Sequence, residues 1–442
     1  MAASATIVVA VLVLAGCEPP GNKALQDSER KVEDKTRLKA TARREPTEGR
    51  GGDRMTPVKR TGERAFQVID VDSNEGLAAQ GAAEMAWRAV EESRGYGDTL
   101  VVWMFDGSPS ATPLVGDVSA YIANRYERDK AKSDLKALKT AVGQYTDQIT
   151  WHIEDPTEDN SKAAAAMRSV TSSGGEQEAT FATIGQCLSK YKSMRLKLGL
   201  KTIFILVTDE TGNDWEQVDD LVGQLGRYQI PVYVVGVPAP FGHRHFGEDM
   251  DRQYGPESRE FESIKLANWG GDVAMDVVDS GFGPFGLEWL CRSSGGVYLP
   301  VRPETSRFVG AVGGSWPSGT SKRFPKDVME RYAPDYVDAE KYQALVSSNT
   351  AIAALVRAAK VGHQEMMSYP QLQFKSDNQA ALAQALTEAQ KSAARLGPQV
   401  NSMYDILKEG QRSRGDIQSP RWQAAYDLAF GRAAAAKVRV DG

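Results

Sequence analysis

Three short runs constrain the fold of this chain more than anything else in it. TLVVWMF (residues 99–105), KTIFILV (201–207) and PVYVVGV (231–237) are apolar at nearly every position. A strand with one face in water alternates apolar and polar residues, whereas strands apolar on both faces belong to a parallel sheet covered by helices on both sides. Further strand-like segments at 65–71 (AFQVIDV), 148–154 (QITWHIE) and 295–301 (GGVYLPV) alternate with helical patterns at 77–92, 114–142, 179–194, 215–228 and 287–292. The expected fold class is therefore α/β, a doubly wound and mostly parallel sheet. In such a sheet, ligands bind in the crevice beyond the carboxyl ends of the strands.

A chain of 442 residues has room for two or three domains of roughly 100–200 residues each. The α/β domain is expected over 65–305, with an insertion at 238–275 that is rich in charge, Gly and His and shows no period. That length marks a functional loop or a surface excursion. Residues 326–442 carry helical stretches such as NQAALAQALTEAQKSAARL and PRWQAAYDLAFGRAAAAKV and no convincing strand, which predicts a C-terminal helical domain of three to five helices. Residues 18–64 are polar, with no aromatic residue and few large apolar ones, so they cannot offset ordering entropy and read as a disordered tether. Thirteen Lys and Arg face eight Asp and Glu between 21 and 64; the surplus suits a solvated spacer, or one lying near anionic headgroups.

The first residues, MAASATIVVAVLVLAGC, hold an apolar run shorter than the roughly 20 residues needed to span a bilayer, closing on small residues as a secretory signal does. Leu14-Ala15-Gly16-Cys17 resembles the lipobox of bacterial lipoproteins. The resemblance implies a signal peptide over 1–17, cleavage before Cys17 and acylation of its thiol, although no Lys or Arg precedes the apolar run. The alternative is an uncleaved hydrophobic anchor, and on either reading the protein is exported and tethered to a membrane, on its periplasmic or cell-surface side. Cys187 and Cys291 then remain; they could pair in an oxidising compartment, but both fall in helical patterns where a buried free thiol is the commoner outcome.

Asp106, Ser108 and Ser110 leave the first apolar strand as D-x-S-x-S. A hard divalent cation takes oxygen ligands, and a turn leaving a strand can fold alternate side chains toward one ion. One carboxylate and two hydroxyls leave much of the +2 charge free for an acidic group from a partner. The same residue types could instead form an Asx-turn, with Asp106 and Ser110 capping the next helix.

The loop resembles the metal-ion-dependent adhesion site of von Willebrand factor type A domains, in which a Thr from a second loop and an Asp from a third complete the site. KTIFILVTDETGND places a buried strand before Thr208 and Asp209, so the resemblance implies Asp209 as the outer carboxylate. In SSGGEQEATFATIGQCL the Thr does not directly follow the glycines; Thr180 matches better and Thr183 less well. GLEWLCRSSGGVYLPV is similar to the last helix and strand of the family, so the likeness covers about 99–302. DSGFGPFGLEWLC, MERYAPDY and SPRWQAAYDLAFGR add a similarity to exported proteins of this class from planctomycete-type bacteria. The resemblance implies Mg²⁺, or Mn²⁺ or Ca²⁺, as the cofactor and a protein presenting an acidic residue as the partner.

Other motifs compete. GFGPFG (281–286) matches G-x-G-x-x-G but precedes only a short helical pattern, where a glycine turn opening that helix serves as well. Asp70 and Asp72 have the D-x-D form of an aspartyl phosphohydrolase, without a Lys and acidic pair to complete it. His243 and His245 could bind zinc or sit in a solvated loop, and GHQEMM around His363 lacks H-E-x-x-H spacing. No nucleophile and base pair stands beside the D-x-S-x-S loop, and a net charge of −5 gives no reason to expect nucleic acid. The expectation is a binding protein rather than an enzyme. A scaffold module with a degenerate metal site, acting through its helical tail, is the alternative.

Overall fold

The computed structural model describes residues 79–129, 135–174, 178–239, 257–260, 262–264, 266, 268–269, 280–301, 324–361, 366–367, 373–374 and 378–441. The expected signal peptide with Cys17, the segment expected to be a tether, the 65–71 segment with Asp70, the following Asp72, most of the 238–275 insertion with His243 and His245, and His363 lie outside the described residues.

Strand β1 (Thr99–Asp106) is buried at every position. Its alternate side chains enter two separate cores. Val101, Trp103 and Phe105 meet helices α1 (Ala79–Tyr96), α2 (Thr112–Arg128) and α3 (Asn160–Arg168). Leu100, Val102 and Met104 meet α4 (Thr180–Leu198), α5 (Val218–Tyr228) and α6 (Phe285–Ser294) on the other face. Burial on both sides is the physical reason the sequence runs apolar without alternation. With β2 (Leu138–Tyr145), β3 (Ile149–Thr157), β4 (Lys201–Val207), β5 (Val232–Gly236) and β7 (Tyr298–Pro300) it forms a six-stranded sheet in the order β3-β2-β1-β4-β5-β7. Every pairing is parallel except that of the edge strand β3. The fold class is thus α/β, doubly wound and mostly parallel, with helices C-terminal to it.

The helix expected over 114–142 is two elements. Helix α2 ends at Arg128, and Leu138–Tyr145 is strand β2, in register with β1 from Thr99↔Leu138 to Asp106↔Tyr145. Leu135, Leu138, Ala141 and Val142 fall at helical spacing, but an interior position in the sheet overrides that pattern. The strand accommodates polar residues because they find partners inside: Thr140 Oγ1 lies 2.8 Å from Tyr126 Oη, which accepts from Trp103 Nε1 at 3.1 Å. The segment expected at 295–301 contributes only Tyr298–Pro300, since Gly295 ends α6 with φ of 87°. At Gly296 a Cβ would fall 1.9 Å from the Val232 carbonyl oxygen. Gly296→Ala is therefore expected to cost about 3 kcal/mol, the upper part of the overpacking range, read as a lower urea midpoint at unchanged slope.

The helical part comprises α7 (Lys326–Glu330), α8 (Ala339–Ser348), α9 (Thr350–Ala359), α10 (Gln379–Gly410) and α11 (Pro420–Asp441). Asp338, Asn349 and Asn378 cap α8, α9 and α10 by accepting from backbone N–H groups of the first turn. Tyr342, Leu355, Met403, Leu407, Trp422 and Tyr426 are central to its core, and Ile264 and Leu266 join them. The described end of the insertion is therefore interior, not a surface excursion. A two-residue parallel pairing of β6 (Asn268–Trp269) with β8 (Met366–Met367) also places a short strand after residue 326, where none was expected. Arg259 ties this region to the α/β part: it pairs with Asp219 of α5, donates to the Val337 carbonyl at 3.0 Å, and lies 4.9 Å from the ring centroids of Phe285 and Trp289 on α6.

Among the described residues no helix is long and apolar enough to cross a membrane. Cys187 and Cys291 are buried free thiols.

Candidate metal centre

Because β1 and β4 are neighbouring parallel strands, their carboxyl ends deliver two acidic loops to one point. Asp106 closes β1. Its Oδ1 accepts from Ser108 N at 2.8 Å, making the turn, and its Oδ2 accepts from Thr208 Oγ1 at 2.7 Å. Gly107 N donates to the Tyr145 carbonyl at 2.7 Å. A Cβ at Gly107 would meet Ser173 Oγ at 2.4 Å and Gln144 Nε2 at 2.8 Å, so glycine is needed for the loop to pack this closely. Ser108 Oγ and Ser110 Oγ are 3.0 Å apart, and Ser110 Oγ reaches Asp209 Oδ1 at 3.4 Å and Glu210 Oε1 at 3.3 Å. Neither Asp106 nor Ser110 caps α2; Ser108 Oγ accepts from Ala111 N at 3.3 Å.

The second loop, before α4, is fixed from both sides. Ala179 N donates to the Thr146 carbonyl and Asn213 N to the Glu178 carbonyl, both at 2.9 Å. The Asp214 carboxylate accepts from Phe181 N at 3.0 Å and Ala182 N at 2.7 Å, capping α4 from the β4 loop. Thr180 is fully buried beside Gly212, where a Cβ would lie 2.6 Å from Thr180 Oγ1. Its hydroxyl bonds to Tyr145 Oη at 3.4 Å and to none of Asp106, Ser108, Ser110 or Asp209. Thr183, one turn on, is buried within α4.

The structure thus brings Asp106, Ser108, Ser110 and Asp209 together and places Thr180 behind Tyr145. Two participants, Glu210 and Glu178, went unread in the sequence, and Thr208 was read only as part of the strand-end pattern. Thr208 locks Asp106 to β4; Glu210 shares Ser110; Glu178, two residues before Thr180, turns its carboxyl against Asp106. The strand-then-Thr-Asp pattern located Thr208 but not its bond to Asp106. Nothing in GGEQEAT separates Glu178 from Glu176.

The electrostatics are one-sided. Asp106, Glu178 and Asp209 are each at most 4% exposed, and among the described residues no ion pair reaches any of them. Burial raises the Asp106 pKa against the lowering effect of its Ser108 and Thr208 hydrogen bonds. Burial, then the charges of Asp106 and Glu210, hold Asp209 well above the usual carboxylate range. Glu178 is pushed up to about 10, by burial first and then by Asp106, Glu210 and Asp209. Its Oε2 is buried without a hydrogen-bond donor. Stacked acids with a raised proton affinity and no internal cation fit a divalent ion. Among the described residues no three His, Cys, Asp or Glu are grouped to hold a metal by themselves, so an ion there would need the Ser108 and Ser110 hydroxyls as well. An all-oxygen set of this kind suits Mg²⁺, Mn²⁺ or Ca²⁺.

Within GFGPFG, Gly281 takes a positive φ of 74°, whereas Gly283 and Gly286 serve packing. Phe282 and Phe285 are buried, a Cβ at Gly283 would strike the Tyr298 ring at 2.5 Å, and one at Gly286 would meet Phe181 at 2.9 Å.

No family model and no curated protein matches the chain. Among solved structures, the chain is similar to the conserved hypothetical protein BatB from Bacteroides thetaiotaomicron, at 14% identity over 48% of this chain and 94% of that one, with a TM-score of 0.31. An aerotolerance-related membrane protein from Bacteroides fragilis NCTC 9343, with multiple mutations to serines, matches at 15% identity over 48% and 96%, TM-score 0.30. Proximal thread matrix protein 1 from the mussel byssus, with a zinc-occupied MIDAS motif, matches at 21% identity over 32% of this chain and 36% of that one, TM-score 0.26.

Proposed function

We propose that this is an exported, lipid-anchored binding protein whose von Willebrand factor type A domain engages a protein partner through a divalent cation held by Asp106, Ser108, Ser110 and Asp209. Thr180 supports that set through Tyr145, and the partner presents an acidic residue to the ion. The observation that carries this reading is the convergence of buried carboxylates and paired serine hydroxyls at the strand ends, with no ion pair to Asp106 or Asp209 among the described residues. Bound there, the ion would supply an electrophilic point for an incoming carboxylate. The chain's own residues orient it: Ser108 N and Thr208 fix the Asp106 oxygens, and Ser110 aligns Asp209. The role read here is recognition rather than catalysis.

The test is calorimetric titration of the full chain with Mn²⁺ and Mg²⁺. One saturable site is expected for each. A flat titration with both ions would end the cation reading and turn attention to the helical part.

A further inference from the structure

The end of the sheet away from the Asp106 loop differs in character from the rest of the surface. From Ala179 to Thr208 the chain carries Lys190, Lys192, Arg195, Lys197 and Lys201 and no Asp or Glu, in a protein whose net charge is −5. Lys190 pairs with Glu154. Arg195 is committed to the fold, donating to the Tyr228 carbonyl and, from Nη2, to Gln229 Oε1 at 2.9 Å. The buried stripe of α4, Phe181, Ile184, Leu188 and Tyr191, stops before its last turn, and Gly199, with φ of 67°, ends the helix and turns the chain into β4. That last turn leaves Leu196 66% and Leu198 64% exposed, with exposed Lys197 between them and exposed Lys201 just beyond. Strand register brings the neighbouring turns to the same end. Thr99 pairs with Lys201 on β4 and with Leu138 on β2, so Tyr96, 61% exposed, and the exposed Lys136 lie there too. The nearby acid, Asp98, accepts from Ala137 N at 3.2 Å. Among the described residues, three of the seven large exposed apolar side chains gather at this end, and no carboxylate pairs with Lys136, Lys197 or Lys201.

We propose that this end of the α/β part is a docking face for an anionic lipid surface. A single exposed leucine is ordinary, whereas protruding leucines flanked by lysines combine the two components of interfacial binding. The apolar side chains enter the headgroup boundary, and the long lysine stems keep their ammonium groups at the level of the phosphates. Lysines in a last turn also suit the helix dipole, but that accounts for neither leucine, nor for Lys136 and Lys201, which lie outside the helix. An acidic protein would answer the charge alone. Side chains as exposed as Leu196 and Leu198 line no groove for a protein side chain to enter, yet they can enter a fluid headgroup layer. Strand β1 runs from Thr99 at this end to Asp106 at the other, roughly 25 Å at the usual rise. Docking therefore points the Asp106 loop away from the lipid. The face goes beyond the cation reading and does not depend on it.

The experiment is co-sedimentation of the full chain with vesicles of phosphatidylcholine alone, and of phosphatidylcholine and phosphatidylglycerol in equal parts. EDTA is present throughout, so that no cation at Asp106 can bridge to a headgroup. Any contribution from the apolar N-terminal run is common to the wild type and its variants. The wild type is expected to bind the anionic vesicles roughly tenfold more tightly or better. Lys197→Gln combined with Lys201→Gln should weaken anionic binding roughly thirtyfold, about fivefold for each lysine, and leave neutral binding unchanged. Leu196→Ser combined with Leu198→Ser should weaken it roughly tenfold while keeping the preference for anionic lipid. All four positions are exposed, so thermal midpoints should stay at the wild-type value. Immobilised polyglutamate is the competing probe. If the lysine pair lowers binding to polyglutamate but not to anionic vesicles, the face serves an acidic protein and the lipid reading is wrong. Equal affinity of the wild type and both variants for anionic vesicles would overturn it as well. Neither result bears on the cation site, which is titrated separately.

Discussion

Asp106→Asn is expected to weaken Mn²⁺ binding at least a hundredfold, about 2.8 kcal/mol, while leaving the ion-free protein as stable as the wild type or more so. The two halves come from the same geometry. Asparagine retains an oxygen to accept from Ser108 N, so the turn after β1 survives, and its amide can still meet Thr208. What it removes is one negative charge from a buried set in which Asp106 raises the proton affinity of both Glu178 and Asp209. Without an ion, that charge works against the fold, and relieving it should raise the thermal midpoint. With saturating Mn²⁺ the order should reverse, because only the wild type gains binding energy linked to folding. Thermal unfolding of both proteins, with and without Mn²⁺, measures all four terms. A variant less stable than the wild type in the absence of metal, with Mn²⁺ shifting neither, would make Asp106 a structural turn residue.

How much of this was legible in the sequence depends on what each residue touches. Strands β1, β4 and β5 announced themselves because both of their faces are buried, and from them the parallel sheet could be expected. Strand β2 is as interior as β1 but carries Lys139, Thr140, Gly143 and Gln144. Its polar groups are satisfied by Tyr126 and by Thr171 N, contacts that span many residues in sequence and leave no local trace. The D-x-S-x-S loop and Asp209 were readable for the opposite reason, since their spacing to a strand end is local. Glu178 is an ordinary loop acid until the fold sets it against Asp106, and Thr180 cannot declare in the sequence that its hydroxyl goes to Tyr145. The charge-rich end of the insertion misled more strongly. Glu257, Arg259 and Glu262 look solvated in sequence, yet each is at most 9% exposed.

That last group supports the other large effect. Arg421 of α11, 4% exposed, donates from Nη2 to Glu257 Oε1 at 2.7 Å, from Nε to Glu262 Oε2 at 3.1 Å and from Nη1 to the Tyr332 carbonyl at 3.1 Å. Arg421→Met would leave two buried carboxylates facing each other, and breaking a buried pair from one side costs about 3–5 kcal/mol. Urea unfolding followed by circular dichroism at pH 7 should show a loss of that size, and a loss below about 1 kcal/mol would mean water reaches the cluster. The pH dependence gives an independent check. Burial outweighs Arg421 and holds Glu262 at about 7, above its ordinary value of 4.5. A carboxyl whose pKa is raised by folding favours the native state fully below its unfolded value, and that contribution fades as pH climbs through the folded one. The wild type should therefore lose stability between pH 4.5 and 7 through Glu262, by roughly 3 kcal/mol at most. Glu262→Gln, whose oxygen can still accept from Arg421 while its amide donates to Tyr342 Oη, should flatten that slope. In Arg421→Met the slope should steepen, because Glu262 then loses the cation that lowers its proton affinity, and the variant should recover part of its lost stability at pH 5. Equal slopes in all three proteins would place the pH dependence elsewhere and reduce the cluster to packing.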